Sequence, residues 1–293
     1  MAPKSKSDTP AEERTIRSAV IFFNESKPEA IKMVKVVLPA LKKKGVKVWI
    51  AHDGQVREKL RMADIAVALG GDGTMLRAAR ILAPHSIPLL GINSGGLGFL
   101  SGTDASEFQK YCDAILEGRF VLEERRMLTV EAYRGSRRVF GPNIALNDCV
   151  IRCGDQARAI LLTARSGEQF VADYFGDGLI ISTPTGSTAY ALAASGPIVD
   201  PRLDVVLLAP ICPHTLTQRP LIIPALDPLS IRLSRRRDEV PRTLLSLDGQ
   251  LGCALKVGDV VRIGRYERPF KLLQNPKRSY FEVLRRKLKW GER

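Results

Sequence analysis

The chain has 293 residues, enough for one or two domains with a substantial buried core. Its composition, 45% hydrophobic and 26% charged, is typical of a globular protein, and no apolar stretch is long enough to span a bilayer. The formal net charge of +14 favours polyanionic ligands. Because the basic runs are short and lack interleaved aromatic residues, we expect phosphorylated small molecules and no nucleic acid or membrane partner.

The first fourteen residues are polar and mixed in charge, and they lack the apolar run of a signal peptide. We therefore expect residues 1–14 to form a disordered tail. The five cysteines are scattered and none forms a C-x-x-C pair. That pattern is typical of buried thiols in a reducing cytoplasm, and not of a disulfide framework or a zinc site.

Strand and helix patterns alternate in the first third of the chain. Apolar runs predict strands at residues 19–23, 46–50, 65–69 and 88–92. Helical spacing of apolar residues predicts helices at 29–43, 75–82 and 104–117. This alternation predicts a Rossmann-like α/β domain with a parallel sheet, whose ligands collect at the carboxyl ends of the strands.

The predicted strand at 65–69 runs directly into the segment Gly70-Gly71-Asp72-Gly73-Thr74. A strand that breaks on glycines and restarts as a helix brings backbone N–H groups close to phosphates. A carboxylate at such a turn can bind a metal ion, accept a hydroxyl proton, or do both. The alternative is an ordinary strand-to-helix turn in which Asp72 caps the helix.

From about residue 125 the pattern changes to short strands separated by turn residues. The predicted strands lie at 128–133, 159–164, 205–209, 229–233 and 260–263. Several of them alternate apolar and polar residues. We therefore predict an all-β, sandwich-like second domain.

A second turn rich in hydroxyl groups follows the apolar strand at Leu179–Ile181. It runs through Ser182 to Thr188, and the alanine-rich segment Ala189–Ala194 after it predicts a helix. Short hydroxyls, main-chain donors and the ring of Tyr190 together suit a nucleotide. The alternative is a capped helix with Tyr190 in the core.

These two turns, with Asn93–Leu100, Asn147-Asp148 and Ala209–Pro220, resemble the NAD kinase family in order and spacing. The resemblance extends from about residue 18 to the C-terminus. The Gly-Gly-Asp-Gly-Thr motif alone is also shared with 6-phosphofructokinases and with diacylglycerol and sphingosine kinases. Only the first motif of those other kinases is recognisable in this chain.

The resemblance implies transfer of the terminal phosphoryl group of ATP, or of polyphosphate, to the 2′-hydroxyl of the adenosine ribose of NAD or NADH. It implies a divalent ion, Mg²⁺ by preference, and a homo-oligomer, either a dimer or a tetramer. It also implies an α/β domain at 15–124 plus 276–293, where the C-terminal segment returns to the first domain. The intervening residues 125–275 would form the β-rich dinucleotide-binding domain.

Individual residues can be assigned roles from the same resemblance. Asp72 matches the proton acceptor, and the phosphate contacts would come from Gly70, Gly71, Gly73 and Thr74. The residues expected to contact NAD are Asp72, Gly73, Arg77, Asn147, Asp148, Arg158, Asp177, Thr188, Ala189, Tyr190 and Gln250. From the residues alone, a helix cap at Thr74, solvent-exposed arginines at 77 and 158, and a simple turn at Asn147-Asp148 stay open.

One position departs from the family pattern. Phe175 stands two residues before Asp177, where many relatives carry a basic or small residue associated with the choice between NAD and NADH. The sequence therefore leaves the oxidation state of the dinucleotide open. It also leaves open the phosphoryl donor, the metal ligands and any allosteric effector.

Three rival functions deserve comparison with a kinase acting on NAD. A lipid or sugar kinase would share the glycine turn but would not need the turn at Thr185–Tyr190. A dinucleotide sensor without activity would be expected to lack the carboxylate of Asp72. A nucleic-acid-binding protein would show salt-dependent retention on DNA.

Overall fold

The computed structural model describes residues 15–51, 56–93, 98–155, 159–235 and 241–290. The predicted tail at 1–14 and Arg158 lie outside these ranges. The chain forms two compact units, one from the described residues of Met1–Glu124 with Phe270–Arg293, the other from those of Arg125–Pro269. Within the described ranges, no helix combines the length and the apolar character needed to cross a membrane.

Strands and helices alternate in the first part of the chain, as predicted. They are β1 (Ser18–Phe23), α1 (Pro28–Lys43), β2 (Lys47–Ile50), α2 (Val56–Leu60), β3 (Ile65–Leu69), α3 (Asp72–Leu82), β4 (Leu89–Asn93), β5 (Thr103–Asp104), α4 (Phe108–Leu116) and β6 (Val121–Arg125). Helix α4 is shorter than the helix predicted at 104–117. The reason is local: Asp104 pairs with β4 in a short strand, and its Oδ1 accepts hydrogen bonds from Ser106 N and Glu107 N.

Short strands dominate the rest of the chain. They are β7 (Leu128–Arg134), β8 (Arg137–Ala145), β9 (Asp148–Cys153), β10 (Ile160–Ser166), β11 (Gln169–Gly176), β12 (Gly178–Ser182), β13 (Val205–Ile211), β14 (Leu221–Pro224), β15 (Leu229–Ser234), β16 (Thr243–Leu247), β17 (Leu251–Leu255), β18 (Val260–Arg265) and β19 (Phe270–Gln274). Two helices accompany them, α5 (Tyr190–Ala193) and α6 (Tyr280–Leu288).

The first unit is built on a sheet with strand order β2-β1-β3-β4-β19-β6, and β5 pairs with β4. The pairs β1–β2, β1–β3, β3–β4 and β4–β19 are parallel. All five residues of β3 are buried, which is typical of a central parallel strand. Because β2 lies on one side of β1 and β3 on the other, the order reverses between β1 and β3. Open α/β sheets bind ligands outside the carboxyl ends of the strands at such a point.

The C-terminal segment returns to this sheet. Strand β19 pairs with β4, and helix α6 follows it after a short turn. Leu284 is buried, as expected for a helix that docks on the first unit, but Phe281 is 56% exposed. Phe281 therefore lies on the side of α6 that is turned to solvent.

Two antiparallel sheets form the second unit, with the orders β11-β10-β15-β18-β7-β8 and β14-β13-β12-β9-β16-β17. Their inward side chains share one core, for example Val130 and Ile263 from the first sheet with Ile151 and Ile181 from the second. The intervening residues of β9 and β12 pack with α5 on the other face. This alternation confirms the predicted sandwich-like fold.

Helix α3 packs against β4 at Gly91, where the two elements approach closely. A Cβ atom at this position would lie 2.5 Å from the carbonyl oxygen of Leu100 and 2.8 Å from the sulfur of Met75. Neither neighbour can move freely, since Met75 is fully buried and Leu100 is held in the chain that follows β4. The spacing between α3 and β4 therefore depends on glycine at this position.

We predict that Gly91→Ala lowers the free energy of unfolding by about 1–3 kcal/mol, because the added methyl group overpacks the contact between α3 and β4. Urea unfolding followed by circular dichroism measures this change. Gly264→Ala is the matched control, because a Cβ at Gly264 meets no atom within 4 Å. Equal unfolding curves for the two variants would contradict the prediction.

Candidate active site

The predicted glycine turn joins β3 to α3 with only two residues. Gly70 has φ of +146°, a conformation that side chains rarely adopt, and a Cβ there would lie 2.8 Å from Thr74 Oγ1. The N-cap of α3 is Gly71, with no side-chain capping bond, so Asp72 is the first residue of the helix and Thr74 the third. The alternative roles of Asp72 and Thr74 as helix caps are therefore wrong. A negative charge at this end of α3 is stabilised by the helix dipole.

The carboxyl group of Asp72 lies against the segment that follows β4. A Cβ on Gly98 would be 3.0 Å from Asp72 Oδ1, 3.3 Å from Ser101 Oγ and 3.6 Å from Asn93 Nδ2. Ser101 Oγ accepts a 2.6 Å hydrogen bond from Gly98 N, which fixes this backbone beside the carboxylate. The structure thus brings together Asp72 and part of the predicted Asn93–Leu100 motif, whose residues 94–97 lie outside the described ranges.

Two opposing effects act on the pKa of Asp72. The residue as a whole is exposed, but desolvation of its carboxyl group raises the pKa above the ordinary value. The positive charge of Lys287 in α6 lowers the pKa by a smaller amount. Burial therefore favours a protonated Asp72, and Lys287 favours the ionised form.

In the second unit, Asp248 organises the turn that carries Asn147 and Asp148. Asp248 Oδ1 accepts hydrogen bonds from Asn147 N (2.8 Å) and Asp148 N (3.2 Å), and Oδ2 accepts one from Leu146 N (3.1 Å). Asp248 N in turn donates to the carbonyl oxygen of Asp148 at 3.0 Å. Asp248, which the sequence analysis did not select, therefore fixes the backbone of two predicted site residues.

The carboxyl group of Asp148 has a pKa of about 7. Desolvation is the main cause, and the negative charge of Asp248 raises the pKa further. A ligand hydroxyl that donates a hydrogen bond to Asp148 would favour the ionised form, because only a carboxylate is purely an acceptor.

The hydroxyl-rich turn packs onto the same Asn147 backbone. The carbonyl oxygen of Asn147 accepts from Thr183 N (2.9 Å) and Ser182 Oγ (3.2 Å), and Gly186 approaches it so closely that a Cβ would overlap with it. The predicted helix over Ala189–Ala194 is present as the four-residue helix α5, and a 3-10 helix at Thr185–Thr188 precedes it. Tyr190 is 43% exposed, so the alternative that places its ring in the core is wrong.

Asp177 lies at the other end of β12 from this cluster. Asp148 pairs across the sheet with Ser182, whereas Asp177 precedes Gly178, roughly 16 Å away along the strand. Around Asp177, Cys212 forms a side-chain hydrogen bond with the carboxylate, and that contact raises the pKa of the Cys212 thiol. The nearby Phe175 ring meets the His214 ring edge-on at 5.0 Å. The structure therefore separates Asp177 from the Asn147–Asp148 turn.

The other predicted site residues take simpler positions. Arg77 is exposed on α3, and Gln250 is exposed in the turn between β16 and β17. Thr188 Oγ1 donates to the carbonyl oxygen of Thr185 at 3.2 Å, and Ala189 links the 3-10 helix to α5. Sequence reasoning missed Ser101, Asp248 and Lys287. Asp248 and Lys287 act across long sequence separations, and no motif marks Ser101, which accepts from Gly98 three residues earlier.

Comparison with known proteins places these features in one family. A family model for the ATP-NAD kinase N-terminal domain matches residues 56–120, and a model for the ATP-NAD kinase C-terminal domain matches residues 146–275. The NAD kinase of Geobacter metallireducens is 47% identical over 79% of this chain and 81% of its own length. That of Syntrophobacter fumaroxidans is 38% identical over 94% of this chain and 100% of its own.

Two solved structures share the fold. Yeast NADH kinase complexed with NADH aligns with a TM-score of 0.88 at 23% identity, over 96% of this chain and 89% of that one. An NAD kinase from Archaeoglobus fulgidus in complex with ATP aligns with a TM-score of 0.75 at 25% identity, over 93% of this chain and 98% of that one.

We predict that Asp148→Asn stabilises the protein at pH 8 by roughly 1–4 kcal/mol and has a much smaller effect at pH 4. The pKa of Asp148 is about 7 when folded and lower when unfolded, so raising the pH ionises the buried group at the expense of the folded state. The measurement is urea unfolding between pH 4 and pH 8. Asp227→Asn, in an exposed turn of the same unit, is the control. A gain independent of pH would contradict this explanation.

Proposed function

The chain belongs to the NAD kinase family and phosphorylates NAD, and we propose that Asp72 accepts the proton of the 2′-hydroxyl that is phosphorylated. One observation carries this proposal. Asp72 is the first residue of α3, beyond the carboxyl end of β3 and beside the reversal of strand order. A carboxylate at this position is the group that the fold itself offers to a ligand of the first unit.

The proposed reaction is a direct transfer. The 2′-oxygen of the adenosine ribose attacks the terminal phosphorus of ATP, and the bond from that phosphorus to the bridging oxygen breaks, so that ADP leaves. The hydroxyl proton passes to the Asp72 carboxylate. Such a transition state needs alignment and charge neutralisation more than covalent chemistry from the protein.

The glycines around Asp72 support this role. We propose that Gly70, Gly71 and Gly73, with Thr74, contact the phosphates, because glycines leave the backbone accessible at the start of α3. Arg77 is exposed one turn further along the helix, and its charge suits the substrate phosphates. ATP is the proposed donor, with polyphosphate as an alternative; an NAD kinase 25% identical to this chain has been solved with ATP.

A divalent ion, Mg²⁺ by preference, is proposed to accompany the triphosphate. In the parts of the chain that the structure describes, no group of three or more His, Cys, Asp or Glu side chains is placed to hold a metal ion. Mg²⁺ commonly keeps several waters and binds substrate phosphates, and we propose the same for this ion. When bound, the ion would neutralise charge on the transferred phosphoryl group.

The second unit is proposed to bind the dinucleotide. Asn147 and Asp148 offer an amide and a carboxylate to the vicinal hydroxyls of a ribose, while Thr188, Ala189 and the exposed ring of Tyr190 suit a base. Asp177 is proposed to contact the other end of the ligand, since it is well separated from Asp148. Gln250 and Arg158 are also proposed to contact NAD, with less support, and Arg158 lies outside the described residues.

The choice between NAD and NADH is proposed to depend on Phe175. The Phe175 ring meets the His214 ring edge-on, two residues before Asp177. The Phe175 side chain supplies no charge that would repel the oxidised nicotinamide ring.

We also propose a cytoplasmic homo-oligomer. All five cysteines are free thiols, and Cys112 and Cys149 are buried, which suits a reducing compartment. Strand β14 is at the edge of its sheet, and Leu221, Ile222 and Leu226 expose apolar side chains on or beside it. An exposed apolar edge strand is a ready surface for a second copy of the chain.

We predict that Asp72→Asn lowers kcat for NADP formation by about 10²- to 10⁴-fold, because the amide cannot accept the hydroxyl proton. The assay uses NAD or NADH with ATP or polyphosphate and reads out NADP(H). Asp113→Asn is the control, since Asp113 is an exposed residue of α4 that pairs with Lys44.

The same assay with lipids or sugar phosphates as acceptors tests the rival kinases. Dinucleotide binding without turnover by the unmodified protein would instead support the sensor.

A second prediction concerns the oligomer. Ile222→Lys should shift the protein to smaller species in size-exclusion chromatography with light scattering, because it places a charge on the exposed edge strand. Ile31→Lys, at a similarly exposed position of α1, should leave the mass unchanged. The same mass for both variants would refute an interface at β14.

A further inference from the structure

Helix α6 is anchored next to the segment that contacts Asp72. The Tyr280 ring meets the Phe99 ring with centroids 6.3 Å apart, and Leu284 is buried one turn later. Ser279 Oγ caps the helix by accepting from Glu282 N at 3.1 Å, and Arg278 forms an ion pair with Glu107. These contacts fix both the start and the rotation of α6 on the first unit.

Phe99 connects this anchor to the candidate catalytic carboxylate. It directly follows Gly98, whose Cα faces Asp72 Oδ1, so α6 packs one residue away from the Asp72 contact. Lys287 is seven residues after Tyr280 and three after Leu284. At 3.6 residues per turn, these three residues share one face of the helix. Lys287 therefore extends from the docked face of α6, and its positive charge acts on Asp72.

The other side chains near Asp72 show why the charge of Lys287 matters for the protonation of Asp72. Asn93 and Ser101, from β4 and the segment after it, are uncharged, and the first cation on α3 is Arg77, five residues beyond Asp72. Desolvation favours the protonated carboxyl group, which cannot accept a proton from the substrate. An exposed lysine on a docked helix opposes that effect without the desolvation cost of a buried ion pair.

We propose that Lys287 is a positioning residue for phosphoryl transfer, whose ammonium group keeps the carboxylate of Asp72 in its ionised, proton-accepting form. The inference rests on the proposed function, because it requires Asp72 to accept the proton. It assigns to the C-terminal helix a part in the reaction beyond closing the fold of the first unit.

The pH profile of kcat, at saturating NAD, ATP and Mg²⁺, tests the proposal. Removing a positive charge raises the pKa of a carboxyl group, so Lys287→Gln should move the acid limb of the profile upward by about 0.5–1 pH unit. Near pH 9, where Asp72 is ionised in either protein, kcat should be within about threefold of the unmodified enzyme. Lys287→Arg keeps the charge and should restore the original limb.

The matched control is Arg285→Gln, which removes the same charge from the same helix. Arg285 is two residues before Lys287, about 200° around the helix, and is exposed. Its acid limb should stay in place. Thermal melts of all three variants report whether α6 stays folded, and carboxyl NMR of the protein labelled at aspartate follows Asp72 without reference to activity.

Two results would overturn the proposal. One is a Lys287→Gln profile whose acid limb and Asp72 titration are unchanged. The other is an equal loss of kcat at every pH, or a change confined to KM for ATP, either of which would assign Lys287 to folding or phosphate binding. Failure of the proposed function can be distinguished from failure of this inference. If Asp72 were not the proton acceptor, Asp72→Asn would retain turnover, independently of the result for Lys287→Gln.

Discussion

The backbone conformation of Gly70 is the constraint on which the candidate active site depends. Strand β3 is buried along its whole length, and only two residues separate it from the next helix, which is the short end of the usual range. At φ of +146° the chain turns at once, so that α3 starts two residues later with Asp72 at its first position. A side chain at Gly70 would meet Thr74, so the turn and the position of the Asp72 carboxylate are specified together.

The two units place their carboxylates by different means, and in both desolvation of the carboxyl group raises the pKa. Asp72 sits at a helix start, where backbone dipoles and Lys287 oppose the effect of desolvation. Asp148 has Asp248 beside it, a second negative charge that reinforces desolvation. The same Asp248 is indispensable to the turn, since its carboxylate satisfies three backbone N–H groups. Asp248 therefore fixes the turn at Asn147-Asp148, but its negative charge beside Asp148 lowers the stability of the folded protein near neutral pH.

Much of the fold and part of the site were predictable because their causes are local. The apolar run of β3 and the glycines after it identify both the strand and the position of Asp72, and the alternation of apolar and polar residues in β7 and β15 identifies strands with one buried face. Asp248 could not be found in this way, because its partners lie about a hundred residues earlier in the chain. The helix predicted over Ala189–Ala194 is present as α5, but the 3-10 helix before it was not predictable, because Thr183 and Gly186 are held there against Asn147, about forty residues earlier in the chain.

The C-terminal segment shows how a distant part of the chain can complete a local motif. Glycine turns of this kind supply a carboxylate and backbone donors, but they contain no cation that could set the charge state of the carboxylate. Here β19 adds to the sheet beside β4, and the ring contact of Tyr280 with Phe99 orients α6, so that Lys287 acts on Asp72. An exposed cation on a docked helix can be moved or shielded by a polyanionic substrate. In the proposed mechanism, the charge state of Asp72 would therefore respond to the arrival of the substrate phosphates.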